Sequence, residues 1–95
     1  MPSITLNIPY NMPPASWTKL AAVYASMPGW KGYVEDGCPV WCPDGPEKGE
    51  IVASVEPSGL LFEGSVSETT WNLWLSDFMR RTTTALGFTV RDAEE

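Results

Sequence analysis

The sequence predicts an α+β fold, a two-layer sandwich in which a mainly antiparallel sheet lies against two helices. Two amphipathic segments of helical spacing, residues 11–27 and 67–87, enclose a series of short segments with strand character and turn residues between them. Each helical stripe is wide and apolar, which predicts that both helices pack on one face of the sheet. With 95 residues, 43% of them hydrophobic, the chain is expected to form a single domain, residues 1–95, with one core.

The first two elements are a strand and a helix. In SITLNIPY (3–10) apolar and polar side chains alternate as in a half-buried strand, and Pro9 predicts that this strand ends there or lies at an edge. The following segment, NMPPASWTKLAAVYASM, predicts a helix with Pro13 or Pro14 in its first turn and Pro28-Gly29 after its end. Its apolar face consists of Trp17, Leu20, Ala21, Tyr24 and Met27.

Two hairpins are predicted in the middle of the chain. Tyr33-Val34 and Pro39-Val40-Trp41 predict short strands joined by a turn at Asp36-Gly37. The segment 51–66, IVASVEPSGLLFEGSV, predicts two strands joined by the turn Glu56-Pro57-Ser58-Gly59. Six side chains are expected to face the core: Ile51, Ala53, Val55, Leu60, Phe62 and Val66. Six others are expected on the opposite, solvent side: Val52, Ser54, Glu56, Leu61, Glu63 and Ser65.

The second helix follows directly. Either Ser65, in a capping box with Glu68, or Ser67 is expected to cap its N-terminus, and Gly87 is expected to end it. Its predicted buried stripe contains Trp71, Trp74, Leu75, Phe78, Thr82, Ala85 and Leu86. A short strand over 88–90 and a frayed acidic tail, RDAEE, are expected after it.

Negative charge is concentrated in the middle third of the chain. Residues 35–68 carry eight acidic side chains against Lys48 alone, a sum of −7, whereas residues 1–34 sum to +2 and residues 69–95 to −1. The net charge of −6 argues against nucleic acid as a partner, because phosphate binding requires clustered lysine and arginine. No apolar run reaches the length of a membrane span, and MPSITLNIPYN lacks the features of a signal peptide, so a cytoplasmic protein is expected.

The two cysteines, Cys38 and Cys42, are expected to be incidental thiols. The chain has no histidine and no second cysteine pair, so it lacks the ligand set of a structural zinc site, and no cofactor is predicted. The spacing also differs from redox motifs with two residues between the cysteines. A disulfide under oxidising conditions and a metal site remain as alternatives.

Two carboxylates form the strongest candidate for catalysis. The hairpin geometry predicts that Glu56 and Glu63 are diagonal neighbours, roughly 7 Å apart, a separation at which carboxylates can share acid–base chemistry. Acidic residues on a solvated sheet face are nevertheless common, and the chain lacks histidine, the most usual general base. The protein is therefore expected not to be an enzyme. A small enzyme or ligand-binding domain using Glu56, Glu63 and Tyr33 is kept as an alternative.

The tryptophans fall into two groups. Trp17, Trp71 and Trp74 have the spacing of helical core positions, whereas Trp30 and Trp41 lie in the region rich in glycine and proline. Aromatic side chains flanked by acids are typical of the centres of protein interfaces. The sequence thus predicts a partner-binding surface composed of Glu35, Asp36, Glu56 and Glu63, with Trp30 or Trp41 as an apolar anchor.

Three segments, MPGWKGY, ASVEPSGLLFEGSVSE and LGFTVRDAEE, resemble those of small acidic bacterial immunity proteins, which neutralise the cognate toxin of polymorphic toxin systems. The resemblance covers less than half of the chain and transfers no functional residue. It implies a non-catalytic inhibitor that binds a basic toxin or nuclease-like domain through its acidic sheet face. The alternative is a small structural or adaptor protein, such as a phage or accessory component, that acts by oligomerising; a stable homodimer would support it.

Overall fold

A computed structural model of the protein describes residues 2–94. It contains a five-stranded antiparallel sheet and two α-helices, which confirms the predicted α+β class. The strands are β1 (Ser3–Leu6), β2 (Trp30–Tyr33), β3 (Pro39–Trp41), β4 (Ile51–Glu56) and β5 (Gly59–Gly64), and the helices are α1 (Pro14–Ser26) and α2 (Glu68–Leu86). A 3₁₀ turn, Pro46–Lys48, precedes β4. Within residues 2–94 neither helix is both long enough and apolar enough to cross a bilayer.

The β4–β5 hairpin organises the sheet, whose strand order is β1-β5-β4-β3-β2. Its register places Ala53 opposite Phe62 and pairs Glu56 with Gly59, as the alternation of the sequence predicted. Strand β1 pairs with β5 on one side, and β3 followed by β2 extends the sheet on the other. The two edges are therefore formed by β1 and β2.

The hydrophobic core contains side chains from the sheet and from both helices. Trp41 of β3 lies 5.3 Å from Tyr24 of α1 and 4.7 Å from Trp74 of α2, measured between ring centroids. Phe62 of β5 contacts Phe78 of α2 at 4.8 Å. Trp41 pairs with Ile51 of β4, and Phe62 pairs with Ala53 of β4. Because Ile51 and Ala53 lie on the same face of β4, Trp41 and Phe62 project from the same face of the sheet. These aromatic contacts join the sheet to both helices.

The end of β1 and the N-terminal cap of α2 differ in detail from the sequence prediction. Strand β1 ends at Leu6, three residues before Pro9, and it lies at an edge of the sheet, which confirms the second of the two predicted alternatives. Ile8, beyond the strand, is buried in the core. Helix α2 is capped by Ser67, whose hydroxyl accepts the amide of Thr70. The predicted Ser65–Glu68 capping box is wrong, since the Ser65 hydroxyl instead accepts the amide of Glu50. Glycine at position 87 ends α2 in the left-handed conformation, as expected.

The segment after α2 forms no strand of its own over 88–90, contrary to the prediction. Val90 is buried, and the chain then runs along the outer side of β1 with a bridge between Leu6 and Asp92. The Ala93 amide donates to the Thr5 carbonyl at 2.8 Å, so the predicted fraying does not apply to the segment as far as Ala93. Residues 88–94 are called the C-terminal segment below.

Arg81 links the two helices. Its guanidinium donates to the Ser26 carbonyl at the end of α1 at 2.8 Å and to Asp77 in the preceding turn of α2 at 2.9 Å. The hydrogen bond from Arg81 holds the pKa of the Asp77 carboxyl below its usual value, and Arg80 adds to this effect. A cation at this position is also favoured by the C-terminal dipole of α1.

Two adjacent threonines of α2 provide a matched test of buried polar groups. Thr82 is fully buried and its hydroxyl has no hydrogen-bond partner, whereas the Thr83 hydroxyl accepts the Val90 amide at 2.9 Å. We expect Thr82→Val to raise the free energy of unfolding by about 1 kcal/mol and Thr83→Val to lower it by about 1 kcal/mol. Urea denaturation followed by circular dichroism measures both changes. Equal effects of the two substitutions would show that hydrogen bonding at these sites does not decide stability.

Candidate partner-binding surface

Two turns lie side by side at one end of the sheet. Because β3 and β4 are antiparallel with Val40 opposite Val52, the turn that precedes β3 lies beside the turn that follows β4. The first turn is closed by hydrogen bonds between Val34 and Cys38 and between Gly37 and Val34. It carries Glu35 and Asp36, and the second begins at Glu56. The fold therefore places three of the four predicted acidic contact residues at the same end.

A depression of about 370 Å³ separates the two turns. Asp36 and Cys38 line it from the first turn and Glu56 from the second. The Ser54 hydroxyl donates to the Glu56 carboxylate at 3.0 Å and orients it along this face of β4. The two carboxylates thus border one concave surface, although they are 20 residues apart in sequence.

Three apolar side chains are exposed at the same end. Tyr33, Val34 and Val55 are 54%, 47% and 50% exposed, respectively. The ring of Tyr33 is supported from one side by Trp30, at 5.2 Å between ring centroids. These three residues and the acidic residues of the two turns are together called the turn surface: Tyr33, Val34, Glu35, Asp36, Val55 and Glu56.

Glu63 lies at the other end of the sheet. It pairs with Val52, four positions from Glu56 along β4, which separates the two glutamates by about 13 Å. Glu63 borders a separate depression of about 280 Å³ together with Glu50. The predicted diagonal pairing of Glu56 with Glu63 is therefore wrong, because the register places each glutamate opposite a different part of the hairpin. These two carboxylates do not form a joint acid–base site.

The two candidate tryptophan anchors have different surroundings. Trp41 is fully buried, and its indole N–H donates to the Tyr24 carbonyl at 2.9 Å, so its assignment as an exposed anchor is wrong. Its orientation follows from its pairing with Ile51, which faces the core. Trp30 is half-buried and packs against Tyr33 and Tyr24. It supports the turn surface from behind and presents only part of its ring.

The cysteines are free thiols on either side of β3. Four residue steps of extended chain separate Cys38 from Cys42 by about 13 Å, about twice the Cα separation that a disulfide allows, so this fold excludes a bond between them. Burial raises the pKa of the Cys38 thiol, and the carboxylates of Asp36 and Glu56 raise it further. A thiol with a raised pKa is a poor nucleophile. Residues 2–94 contain no group of three or more Cys, Asp and Glu side chains placed to hold a metal ion.

Val34 and Val55 are the members of the turn surface that the sequence analysis missed. Val55 was expected in the core because its alternation matches Ile51 and Ala53, and its orientation is consistent with that face. It is exposed because it is the last apolar residue of β4 and lies outside the hydrophobic cluster. The Pro57 turn directly after it is the sequence signal of such an exposed strand end.

Comparison of the chain with protein-family models, curated proteins and solved structures found no match.

Proposed function

We propose that this protein binds a basic partner protein through the turn surface and acts as an immunity protein that inhibits a basic toxin. The observation that carries the proposal is the meeting of exposed apolar and acidic side chains at one end of the sheet. Tyr33, Val34 and Val55 provide apolar contact area, and Glu35, Asp36 and Glu56 add negative charge at the same end of the sheet. The inhibitory role and the toxin as target are suggested by the resemblance to immunity proteins.

The composition of the turn surface suits association with a cationic protein. A partly desolvated aromatic ring with apolar neighbours supplies contact area, and charged groups at the rim accelerate encounter and exclude partners of like charge. Toxins that act on nucleic acids carry cationic sites for phosphate, which complement such a surface. Glu63 and Glu50 add negative charge at the far end, where it can contribute to long-range attraction only.

Strand pairing between copies has less support as an alternative function. The outer edge of β1 is covered by the C-terminal segment. The other edge strand, β2, is four residues long, is interrupted by a bulge between Trp30 and Gly32, and carries an exposed lysine, Lys31. Short, bulged and charged edges disfavour edge-to-edge association.

Charge reversal at the two ends of the sheet tests the proposal. Asp36→Lys with Glu56→Lys changes the turn surface, and Glu50→Lys with Glu63→Lys is the matched control, since each pair raises the net charge from −6 to −2 (four units for two reversals). We expect the first pair to weaken binding of the partner by about 100-fold, and the control pair by less than about 5-fold. The free energy of unfolding of the control protein should lie within about 0.5 kcal/mol of that of the unsubstituted protein, as is usual for exposed sites. The first pair should cost about 1 kcal/mol more, because Glu56 is half-buried and loses its hydrogen bond from Ser54.

The partner for this measurement is obtained by affinity capture from the native source at low salt and at about 0.5 M salt, followed by mass spectrometry. Binding constants are then measured by calorimetry with the purified captured protein and each variant. A basic protein whose binding weakens with salt and with the Asp36 and Glu56 reversals supports the proposal. If both pairs of reversals weaken binding equally, the binding depends only on the net charge of the protein and not on the turn surface. That result would contradict the proposal.

A further inference from the structure

The depression between the two turns lies where β3 and β4 separate. Strand β3 pairs with β4 only at Ile51 and Val52, so residues 53–56 have no strand partner on that side among residues 2–94. The next residue of β3 toward its turn is Pro39, which has no amide hydrogen to continue the ladder. Pro39 and Cys38 line the depression from one side and residues 53–56 from the other. The depression is therefore a gap in the sheet.

This gap leaves backbone hydrogen-bonding groups of β4 open to the depression. Glu56 and Gly59 are the last pair of a two-residue hairpin, and such a closing pair is hydrogen-bonded in both directions. Because successive residues of a strand direct these groups to opposite sides, the amide and carbonyl of Val55 point away from β5 and toward the depression. No backbone group of residues 2–94 pairs with them there. The Val55 carbonyl is therefore a free acceptor beside the Glu56 carboxylate.

Two carboxylates border the gap, one from each turn. Glu56 is oriented by the Ser54 hydroxyl at 3.0 Å, and Asp36 lines the opposite side. The pKa of the Cys38 thiol is raised first by burial and then by Asp36 and Glu56, so both carboxylates lie close to this side chain. Neither carboxylate forms a salt bridge with a lysine or arginine within the part of the chain that the structure describes.

Apolar side chains complete the lining. Pro39, Ala53 and Leu60 are buried around the depression, and Val55 beside them is 50% exposed. The volume of about 370 Å³ is near the lower end of the range for small-molecule sites, which suits one side chain rather than a larger group. An occupant with an apolar stem and a positively charged end complements both parts of this lining.

We propose that the depression accepts one arginine side chain of the basic partner, with the guanidinium between Asp36 and Glu56 and the methylene groups against Pro39 and Leu60. This inference rests on the proposed function and names the chemistry by which the turn surface binds its partner. A guanidinium has five N–H donors in one plane, which match two carboxylates and the Val55 carbonyl. The ammonium of lysine has three donors and is more strongly hydrated, so it complements this site less well.

NMR titration with amino-acid derivatives tests this inference without the partner. The probes are N-acetyl-L-arginine methylamide, the corresponding lysine derivative, and the citrulline derivative, which has nearly the shape of arginine but no charge. We expect the arginine derivative to shift the amide resonances of Gly37, Cys38 and Val55 and to bind at least about 5-fold more tightly than the lysine derivative. The citrulline derivative should cause no measurable shift, because it cannot neutralise the two carboxylates.

Neutral isosteres of the carboxylates provide matched variants. Asp36→Asn with Glu56→Gln should weaken binding of the arginine derivative by at least about 10-fold, since both charge-assisted hydrogen bonds are lost. Glu50→Gln with Glu63→Gln, at the separate depression, is the control and should weaken binding by less than about 2-fold. Each pair raises the net charge from −6 to −4 (two units for two neutralisations). Equal effects of the two pairs, or equal affinities for the arginine and lysine derivatives, would overturn the inference.

Competition connects the depression to the partner. The arginine derivative should displace the purified captured protein, and the lysine derivative at the same concentration and ionic strength should displace it less, so that salt screening is the same in both measurements. If the arginine derivative occupies the depression while the captured protein stays bound, the partner does not place an arginine there and the inference is wrong. The charge reversals at Asp36 and Glu56 decide the proposed function separately, so the two failures are distinguishable.

Discussion

Trp41→Ala is expected to lower the free energy of unfolding by about 4 kcal/mol, within the range for truncating a fully buried tryptophan. Trp41 is surrounded by five aromatic rings, those of Tyr24, Trp30, Phe62, Trp74 and Phe78, at centroid distances from 4.7 to 6.5 Å. Removal of the indole leaves a cavity between the sheet and both helices. Because domains of this size are stable by only about 5–15 kcal/mol, a large part of the total stability depends on this side chain.

Two further variants separate the causes of this loss. Trp41→Phe keeps most of the apolar volume but removes the indole N–H that donates to the Tyr24 carbonyl, and it should destabilise the protein by about 1–2 kcal/mol. Trp30→Ala removes a half-buried ring and should have an effect of about 1–2 kcal/mol. Chemical denaturation followed by circular dichroism gives all three values. If Trp41→Ala and Trp30→Ala cost the same, Trp41 is not the centre of the core.

Gly29→Ala is expected to destabilise the protein by about 3 kcal/mol more than Gly37→Ala does. Both glycines have φ = 83°, so the backbone strain of an alanine is the same at the two positions. At Gly29 the added methyl carbon would lie 2.4 Å from the Cys42 carbonyl carbon and 2.5 Å from the Pro43 nitrogen. At Gly37 it would meet no atom within 4 Å.

The difference between these two variants isolates the steric effect from the conformational one. Gly29 connects α1 to β2, and its carbonyl accepts the Cys42 amide at 2.8 Å, so a clash there displaces the end of β3. Pro28 before it accepts the Trp74 indole N–H at 3.1 Å, which extends the disturbance to α2. Thermal and urea unfolding of the two proteins measure the difference. If the Gly29→Ala and Gly37→Ala proteins have equal free energies of unfolding, the end of β3 moves away from the added methyl group at no cost in stability, and the prediction is wrong.

Much of the fold was predictable because it depends on local periodicity. The alternation in 51–66 predicted the β4–β5 hairpin and the face on which each side chain lies, including the pairing of Glu56 with an odd-numbered residue. Helical spacing of apolar residues predicted α1 and α2, and Gly87 predicted the end of α2. These features are encoded by neighbouring residues, whose side-chain directions follow directly from the geometry of strands and helices.

The candidate site was predicted only in part, because strand alternation does not tell how far the core extends. Glu35, Asp36 and Glu56 were identified from charge, and the fold brings them to one end of the sheet. The exposure of Val55 and the burial of Trp41 required knowledge of which strands are neighbours and where the hydrophobic cluster ends. The distance between Glu56 and Glu63 could be found only once the residue pairs along the whole hairpin were known.

The sequence by itself determined the class of the fold, the two helices, the β4–β5 hairpin and the distribution of charge, because each depends on composition and on contacts between residues close along the chain. Only the tertiary structure decided that the turns at 34–38 and 56–59 are neighbours and that Cys38 and Cys42 are too far apart for a disulfide. It also placed the C-terminal segment along β1, through contacts between Asn7 and residues more than 80 positions away. Such contacts depend on the order of strands in the sheet, which local patterns do not specify.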